Sequence, residues 1–315
     1  MKKNQEMLHY LKLFRIQNLL IIVLTQYLFR YFILLPILQN NAVLPILNDI
    51  NFALLVLSTV LIAAAGYAIN DYFDIRTDRI NHPHKIIVGK YISRRIAMLL
   101  HQILNIIAVI IAAYVCYKTG SFKLLFIQII MITLLWMYSV KFKSYFLIGN
   151  ILVAFSSAMT ILIVWVFDIY AVNSSGQLLN YTTRESIRLF LWTFATFAFV
   201  VSIIREIIKD IEDIEGDEKI GCATIPIVIG IPKTKLFLYS FIILSIIPLG
   251  YFLYKTYMMP DMLILFWYII FALIIPFIYL AYLTFIAKNK NDFSILSKIT
   301  KFIMLAGVLS MILIF

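Results

Sequence analysis

The sequence predicts an all-α, polytopic membrane protein of about nine transmembrane helices, on three observations. Of 315 residues, 63% are hydrophobic and 14% charged, against roughly 45–50% and 25% in soluble domains, and mean hydropathy is +0.96. About nine apolar stretches reach the roughly 20 residues that a helix needs to cross a bilayer. Basic residues are abundant in alternate connections only, as orientation in a membrane requires. A membrane barrel would show short alternating segments rather than runs such as Leu99 to Val115.

The spans are expected near 13–38, 43–69, 95–117, 121–140, 145–168, 189–208, 235–255, 262–287 and 295–315. The first opens with Lys12, Arg15, Gln17 and Asn18, which read as boundary anchors, and Pro36 and Pro45 bracket its outer turn. The second carries Ala63-Ala64-Ala65-Gly66, small residues that permit close helix packing or the approach of a ligand. Pro83 then limits helix, so the connection over about 70–94 becomes a loop able to fold over a site. Lys141 and Lys143 follow the fourth span, with Gly149-Asn150 beyond them. Asp168 to Arg188 reads as a polar outer connection turning at Asn173-Ser174-Ser175-Gly176. Pro248 and Pro276 are expected to kink the last spans. The whole chain, 1–315, reads as one domain with active-site connections at about 70–94 and 205–234.

Lysine and arginine crowd the N-terminus and every second connection after it, which predicts an inside N-terminus in an inner or plasma membrane. The net charge of +11 then reflects topology and contact with anionic membrane lipids, not a nucleic-acid surface. Cys116 lies in a span and Cys222 in an inner connection, so no disulfide is expected. The first apolar stretch lacks a small-residue cleavage site and is read as a retained helix.

Ten of the sixteen acidic residues fall in two stretches, 71–78 and 206–218, at the inner ends of the second and sixth spans. Asn70-Asp71-Tyr72-Phe73-Asp74-Ile75-Arg76-Thr77-Asp78 and Asp210-Ile211-Glu212-Asp213-Ile214-Glu215-Gly216-Asp217 share the spacing D-x-x-D-x-x-x-D. If each continues the preceding helix, its three aspartates share one face. Like charges so placed repel, and acids near hydrocarbon cost roughly 2.5–3.5 kcal/mol each at its centre, so the pattern asks for a cation. Mg²⁺ prefers oxygen ligands and is held by one or two carboxylates together with substrate phosphates; two aspartate half-sites suit a metal-bridged diphosphate. Arg76, Arg79, Arg205 and Lys209 are placed to neutralise phosphate oxygens, and Lys143 lies on the same side. The aromatics Tyr67, Tyr72, Phe73, Trp136, Tyr138 and Trp192 are candidates to face an allylic cation. His82 and His84 form an H-x-H pair, with too few companions for a zinc site.

The two motifs, their separation, the nine spans and the Tyr138…Lys143…Gly149-Asn150 element resemble the UbiA superfamily of intramembrane prenyltransferases. Within it they are most similar to the branch that includes digeranylgeranylglyceryl phosphate synthase and the chlorophyll and homogentisate enzymes. The resemblance implies Mg²⁺ bound through Asp71, Asp74 and Asp78 with Asp210, Asp213 and Asp217, among which Asp71, Asp74, Asp210 and Asp213 are the catalytic candidates. It implies diphosphate contacts from Asn70, Arg79, Lys85, Lys143, Arg205 and Lys209, although Lys85-Ile86-Ile87 replaces the family's usual Arg-Pro-Ile-type sequence. The expected function is Mg²⁺-dependent transfer of a polyprenyl group from polyprenyl diphosphate to a lipophilic acceptor, a geranylgeranylglycerol-phosphate-like lipid or an aromatic quinone or chlorophyll precursor. The alternatives are a cation-coupled transporter using the same acids, and two solvated acidic faces with no shared site.

Overall fold

The computed structural model describes residues 2–43, 47–84, 86–258 and 262–314; Pro45 and Lys85 lie outside them. Among the described residues, nine helices are long and apolar enough to cross a membrane, and the chain is an integral membrane protein. They are Ile16–Asn40, Asp49–Phe73, Arg94–Thr119, Phe122–Val140, Ile148–Ser174, Tyr181–Glu212, Ile231–Tyr254, Leu263–Ile286 and Lys290–Leu313, here spans one to nine. Span six is the hub. It packs against spans five, seven and nine, and Leu191, Ala195, Val201, Ile204, Ile207, Ile208 and Ile211 along it are buried.

The largest departure from expectation is the outer connection of spans five and six. Its supposed start, Asp168, is 2% exposed and lies inside span five, because it pairs with Arg30 of span one at 3.1 Å. With its charge matched, the helix runs on to Ser174. The turn is confined to the residues around Gly176, whose φ of +80° suits glycine. Span six begins far earlier than its apolar run, at Tyr181, where the Asn180 side chain accepts a hydrogen bond from the Thr183 N–H at 2.8 Å and caps the helix.

Two prolines bend the structure by a common device. Pro36 and Pro276 each follow a π-helical segment, Phe29–Leu34 and Ile269–Ile274. A proline ring strikes the carbonyl four residues back, here that of Phe32 or Ala272, and the wider turn relieves the clash. Pro36 therefore lies within span one rather than at its outer turn. Pro248 stays inside the continuous helix Ile231–Tyr257.

An additional helix, Lys2–Leu13, precedes span one. Leu13 is buried with Ala68, Val88, Ile92 and Ala97, and His9 stacks on Tyr91 with ring centroids 3.8 Å apart. The chain turns between this helix and span one at Arg15, whose φ of +49° is left-handed and uncommon for a residue with a side chain.

At the end of the bundle away from the aspartate motifs, Arg30 is 1% exposed. Besides Asp168 it reaches Asp49 at 3.4 Å, donates to the Leu47 carbonyl and lies 4.3 Å from the Phe52 ring centroid. One guanidinium thus ties spans one, two and five. Removing one partner of a buried ion pair costs about 3–5 kcal/mol, whereas replacing both by apolar groups is often neutral. Asp168→Leu is therefore expected to lower the unfolding temperature in detergent sharply, and Arg30→Met with Asp168→Leu to recover most of the loss.

Candidate active site

Both aspartate motifs begin as helix and are interrupted at the same place. Span two ends at Phe73, Asp74 takes φ −80° and ψ −3°, and a short helix follows at Ile75–Asn81. Span six ends at Glu212, Asp213 takes φ −102° and ψ 6°, and a short helix follows at Ile214–Lys219. The i to i−4 bonds survive the interruption: Asp74 and Asp78 N–H donate to Asn70 and Asp74 carbonyls at 2.9 and 2.8 Å, and Asp213 and Asp217 N–H to Lys209 and Asp213 carbonyls at 2.9 and 3.2 Å. The middle aspartate of each motif is thus a bend that keeps all three carboxylates on one side.

That side is shared. Asp71, Asp74, Asp78, Asp210, Asp213 and Asp217 all line one cavity of about 1120 Å³. Its inner part continues between the spans along apolar walls that include Ile21, Ile62, Met131, Leu135, Phe194 and Val308. Gly66 belongs to this wall, and a Cβ there would stand 3.1 Å from Leu135 Cδ1, so the small residue permits close packing of spans two and four.

Cations of the chain stand against two of these carboxylates and a histidine against a third. Arg15 Nη2 is 3.0 Å from Asp71 Oδ1 and its guanidinium lies 4.9 Å from the Tyr67 ring centroid. Lys143 pairs with Asp74, and His82 Nε2 is 2.8 Å from Asp213 Oδ1. Arg205 and Lys209 also line the cavity, where both hold the buried Glu206, at 3.1 and 3.3 Å. Asn150 donates to Asp210 at 2.7 Å, and Asn70 to Asp74 at 2.5 Å.

The turn after span four explains how Lys143 arrives there. Gly149 faces the 142–144 turn so closely that a Cβ would lie 2.9 Å from Lys143 Cα. The bare glycine lets the turn fold onto span five, and the next residue, Asn150, then meets Asp210. The Ala223 N–H donates to the Ser144 carbonyl at 2.8 Å, which joins this turn to the segment after the second motif.

Asp210 meets only the Asn150 amide; Asp78 and Asp217, at the far end of each motif, have no ion-pair partner among the described residues and titrate high. Asp78 is pushed up to about 6 and Asp217 to about 7. Burial is the main cause in both. Repulsion adds to it, from Asp74 and Asp71 on Asp78 and from Asp213, Asp74 and Asp78 on Asp217. The two motifs therefore feel each other's charge across the cavity.

Not every expected residue is here. Arg79 is exposed and is not part of the cavity lining; with Asp74 and Asp78 facing inward, the next helical position points away. Lys85 lies outside the described residues. Tyr67 and Tyr138 line the cavity, whereas Tyr72, Phe73, Trp136 and Trp192 do not. Trp136 and Trp192 are 46% and 59% exposed, on the outside of the bundle. In the other direction, Arg15, His82, Asn81 and Glu206 join the site although their sequence signal was that of boundary anchors and isolated polar groups.

The donor set fits a divalent, oxygen-seeking ion. No three His, Cys, Asp or Glu side chains among the described residues are close enough to chelate a metal unaided. Mg²⁺ asks for less than that, one or two carboxylates completed by phosphate and water, and six aspartates with Glu206 line the cavity. Asn70 Oδ1 is buried there without a hydrogen-bond partner, a further hard oxygen.

The UbiA prenyltransferase family matches residues 32–304. The chain is 33% identical to digeranylgeranylglyceryl phosphate synthase of Methanosphaera stadtmanae over 257 residues, covering 81% of this chain and 84% of that protein. It is 33% identical to the enzyme of the same name from Pyrococcus abyssi over 189 residues, a match that spans 58% of each. A structure solved in a study of digeranylgeranylglyceryl phosphate synthase in membranes superposes with a TM-score of 0.61 at 26% identity, over 98% of this chain and 99% of that one. A UbiA homologue from Archaeoglobus fulgidus bound to GPP and Mg²⁺ superposes with a TM-score of 0.55 at 18% identity, over 96% and 99%.

The raised carboxyls fix the sign of two pH effects. The metal-free protein carries extra protons on Asp78 and Asp217 between the usual carboxylate range and about 6 to 7. Their contribution to stability is therefore fully present at acid pH and is lost as pH rises through about 6 to 7. Metal binding must displace those protons. Mg²⁺ affinity is expected to fall as pH drops from about 8 to about 6, and calorimetry in buffers of different ionisation enthalpy should register proton release on binding.

Proposed function

The chain belongs to the UbiA prenyltransferase family, and on that premise we propose that it transfers a polyprenyl group from its diphosphate to a lipophilic acceptor in a Mg²⁺-dependent reaction that releases diphosphate. One observation carries this reading: two aspartate triplets line the polar end of a cavity whose remainder runs between apolar spans. A diphosphate fits the first part and a prenyl chain the second. The relatives' name favours a prenylated glyceryl phosphate as acceptor over an aromatic ring. Excess lysine and arginine at the motif-bearing end favour its placement in the cytoplasm.

In this reading Asp71, Asp74 and Asp78 form one half-site and Asp210, Asp213 and Asp217 the other, with Asn70 Oδ1 as an added oxygen. Bound Mg²⁺ would supply charge neutralisation at the departing diphosphate oxygens. Arg15 and Lys143, which stand on Asp71 and Asp74 in the metal-free protein, are within side-chain reach to turn to phosphate oxygens once a metal takes the carboxylates. Arg205 and Lys209 are held forward by Glu206 and add positive charge at the same end. The electron pair of the breaking C1–O bond leaves with diphosphate. The positive charge left on the allylic carbon faces Tyr67 and Tyr138, where aromatic faces stabilise cations. The acceptor's oxygen or ring carbon then bonds to C1, and its proton passes to a carboxylate or to the released diphosphate. The apolar walls exclude bulk water, which would otherwise capture the cation.

Transport of cations is a poorer account, because transport sites gather near the membrane midplane and these carboxylates stand at one end. The test is the purified protein with labelled geranylgeranyl diphosphate, Mg²⁺ and either geranylgeranylglyceryl phosphate or an aromatic acceptor. Labelled lipid product is expected with the first acceptor, and Asp71→Asn or Asp213→Asn should lower its rate by about 10²-fold or more. Full activity in both variants, or no diphosphate release with any acceptor, would refute the proposal. Arg15→Ala is expected to lower the rate by about 10²-fold as well, measured in the same assay.

A further inference from the structure

The two short helices that follow the middle aspartates are joined by hydrogen bonds of the Asn81 side chain. Asn81, at the end of Ile75–Asn81, is 7% exposed. Its Nδ2 donates to the Asp213 carbonyl at 2.8 Å, and its Oδ1 accepts from the Gly216 N–H at 2.9 Å. The amide thereby uses both ends on the opposite motif, one of them on the peptide of a candidate metal ligand. Its own carbonyl accepts from Lys290 Nζ at 2.7 Å, which ties the contact to the start of span nine.

The opposite wall is shaped for this amide. A Cβ at Gly216 would lie 2.5 Å from Asn81 Nδ2 and 2.6 Å from its Cγ, so any larger residue there would push the asparagine out. Next to Asn81, His82 reaches the Asp213 carboxylate. The short helices have seven and six residues, too few to hold their shape alone. Their mutual position therefore depends on what joins them. The motifs are otherwise equivalent in spacing, but the position in the second that corresponds to Asn81 is Ile220, so the link is made from one side only.

We infer that Asn81, seated against Gly216, is a positioning residue that sets the separation of the two aspartate half-sites and so their joint hold on a metal-bridged diphosphate. This rests on the diphosphate reading given above. Misplacing half-sites by a fraction of an ångström weakens a ligand shared between them while leaving the bundle's apolar core intact.

The experiment is calorimetric binding of inorganic pyrophosphate to the detergent-solubilised full chain over a range of Mg²⁺ concentrations, for the wild type, Asn81→Ala, Asn81→Asp and Gly216→Ala. Lys219→Ala, on the exposed face of the second short helix, is the control, and unfolding temperatures are measured in parallel. Asn81→Asp retains the acceptor for the Gly216 N–H but turns a carboxylate oxygen toward the Asp213 carbonyl. Loss of one or both hydrogen bonds, with displacement of the half-sites, predicts a rise of about tenfold in the Mg²⁺ needed for half-saturation in each of the three variants, full stoichiometry at saturating Mg²⁺, and no change in the control. An unchanged Mg²⁺ requirement overturns the inference, whether stoichiometry is kept or is reduced in step with a lower unfolding temperature, the mark of a purely structural residue. A wild type that binds no pyrophosphate at any Mg²⁺ concentration overturns the diphosphate reading itself, and the inference with it.

Discussion

Six aspartates share one cavity at the end of a hydrocarbon-length bundle, and the architecture around that end is organised by the cost of keeping them there. Charges brought near hydrocarbon lose hydration, and like charges repel. The chain answers with its own cations and amides. Arg15 comes from the turn before span one, Lys143 from the turn after span four, His82 from the segment after the first motif and Asn150 from span five. Contributions from so many elements mean that the site forms only when the whole bundle has formed. Asp78 and Asp217, left without a cation, take up protons instead.

Such a balance is provisional by construction. A carboxylate paired with a lysine or arginine has its charge matched within the chain, yet each pair can be exchanged when a phosphate with its counter-ion arrives. In the proposed reaction the aspartates would hold Mg²⁺ and the basic side chains released from them, Arg15 and Lys143, would turn to the phosphate. The same groups that make the resting protein stable then become those that hold the donor. Strain is kept at the hinge of this arrangement, in the left-handed backbone of Arg15, a conformation that persists only where its surroundings enforce it.

The spans and both motifs were legible in the sequence, because hydropathy and the repeated D-x-x-D-x-x-x-D spacing are periodic signals that packing does not override. That the motifs share a cavity followed from their common side of the membrane. What escaped was decided by contacts between segments distant in the chain. Arg15 reads as a boundary anchor until Asp71 is seen beside it, some fifty residues on. Asp168 reads as loop until Arg30 is found against it, so the lengths of spans five and six were missed together. Arg79 looked equivalent to the basic residues of the site, but one helical step beyond Asp78 carries it to the outer face. The aromatic residues could not be sorted by type, since inward and outward rings have the same composition and only Tyr67 and Tyr138 line the cavity. Spacing alone does not decide whether each motif continues its span as one helix; both are interrupted at the same place, at Asp74 and at Asp213.

That repetition bears on why the aspartates are spaced as they are. In a straight helix, positions i, i+3 and i+7 already share a face, so spacing alone gives no reason for a bend. A straight continuation of spans two and six would, however, carry the third aspartate of each motif about a full turn further along the axis, away from the bundle. In the fold the two short helices that follow the middle aspartates are in contact, and Asp217 feels the charge of Asp78. Proximity of those last two carboxylates is electrostatically unfavourable in the metal-free protein. It is made tolerable by neutral contacts, the Asn81 amide against Gly216 and the Asp213 peptide, which add no charge where charge is already in excess.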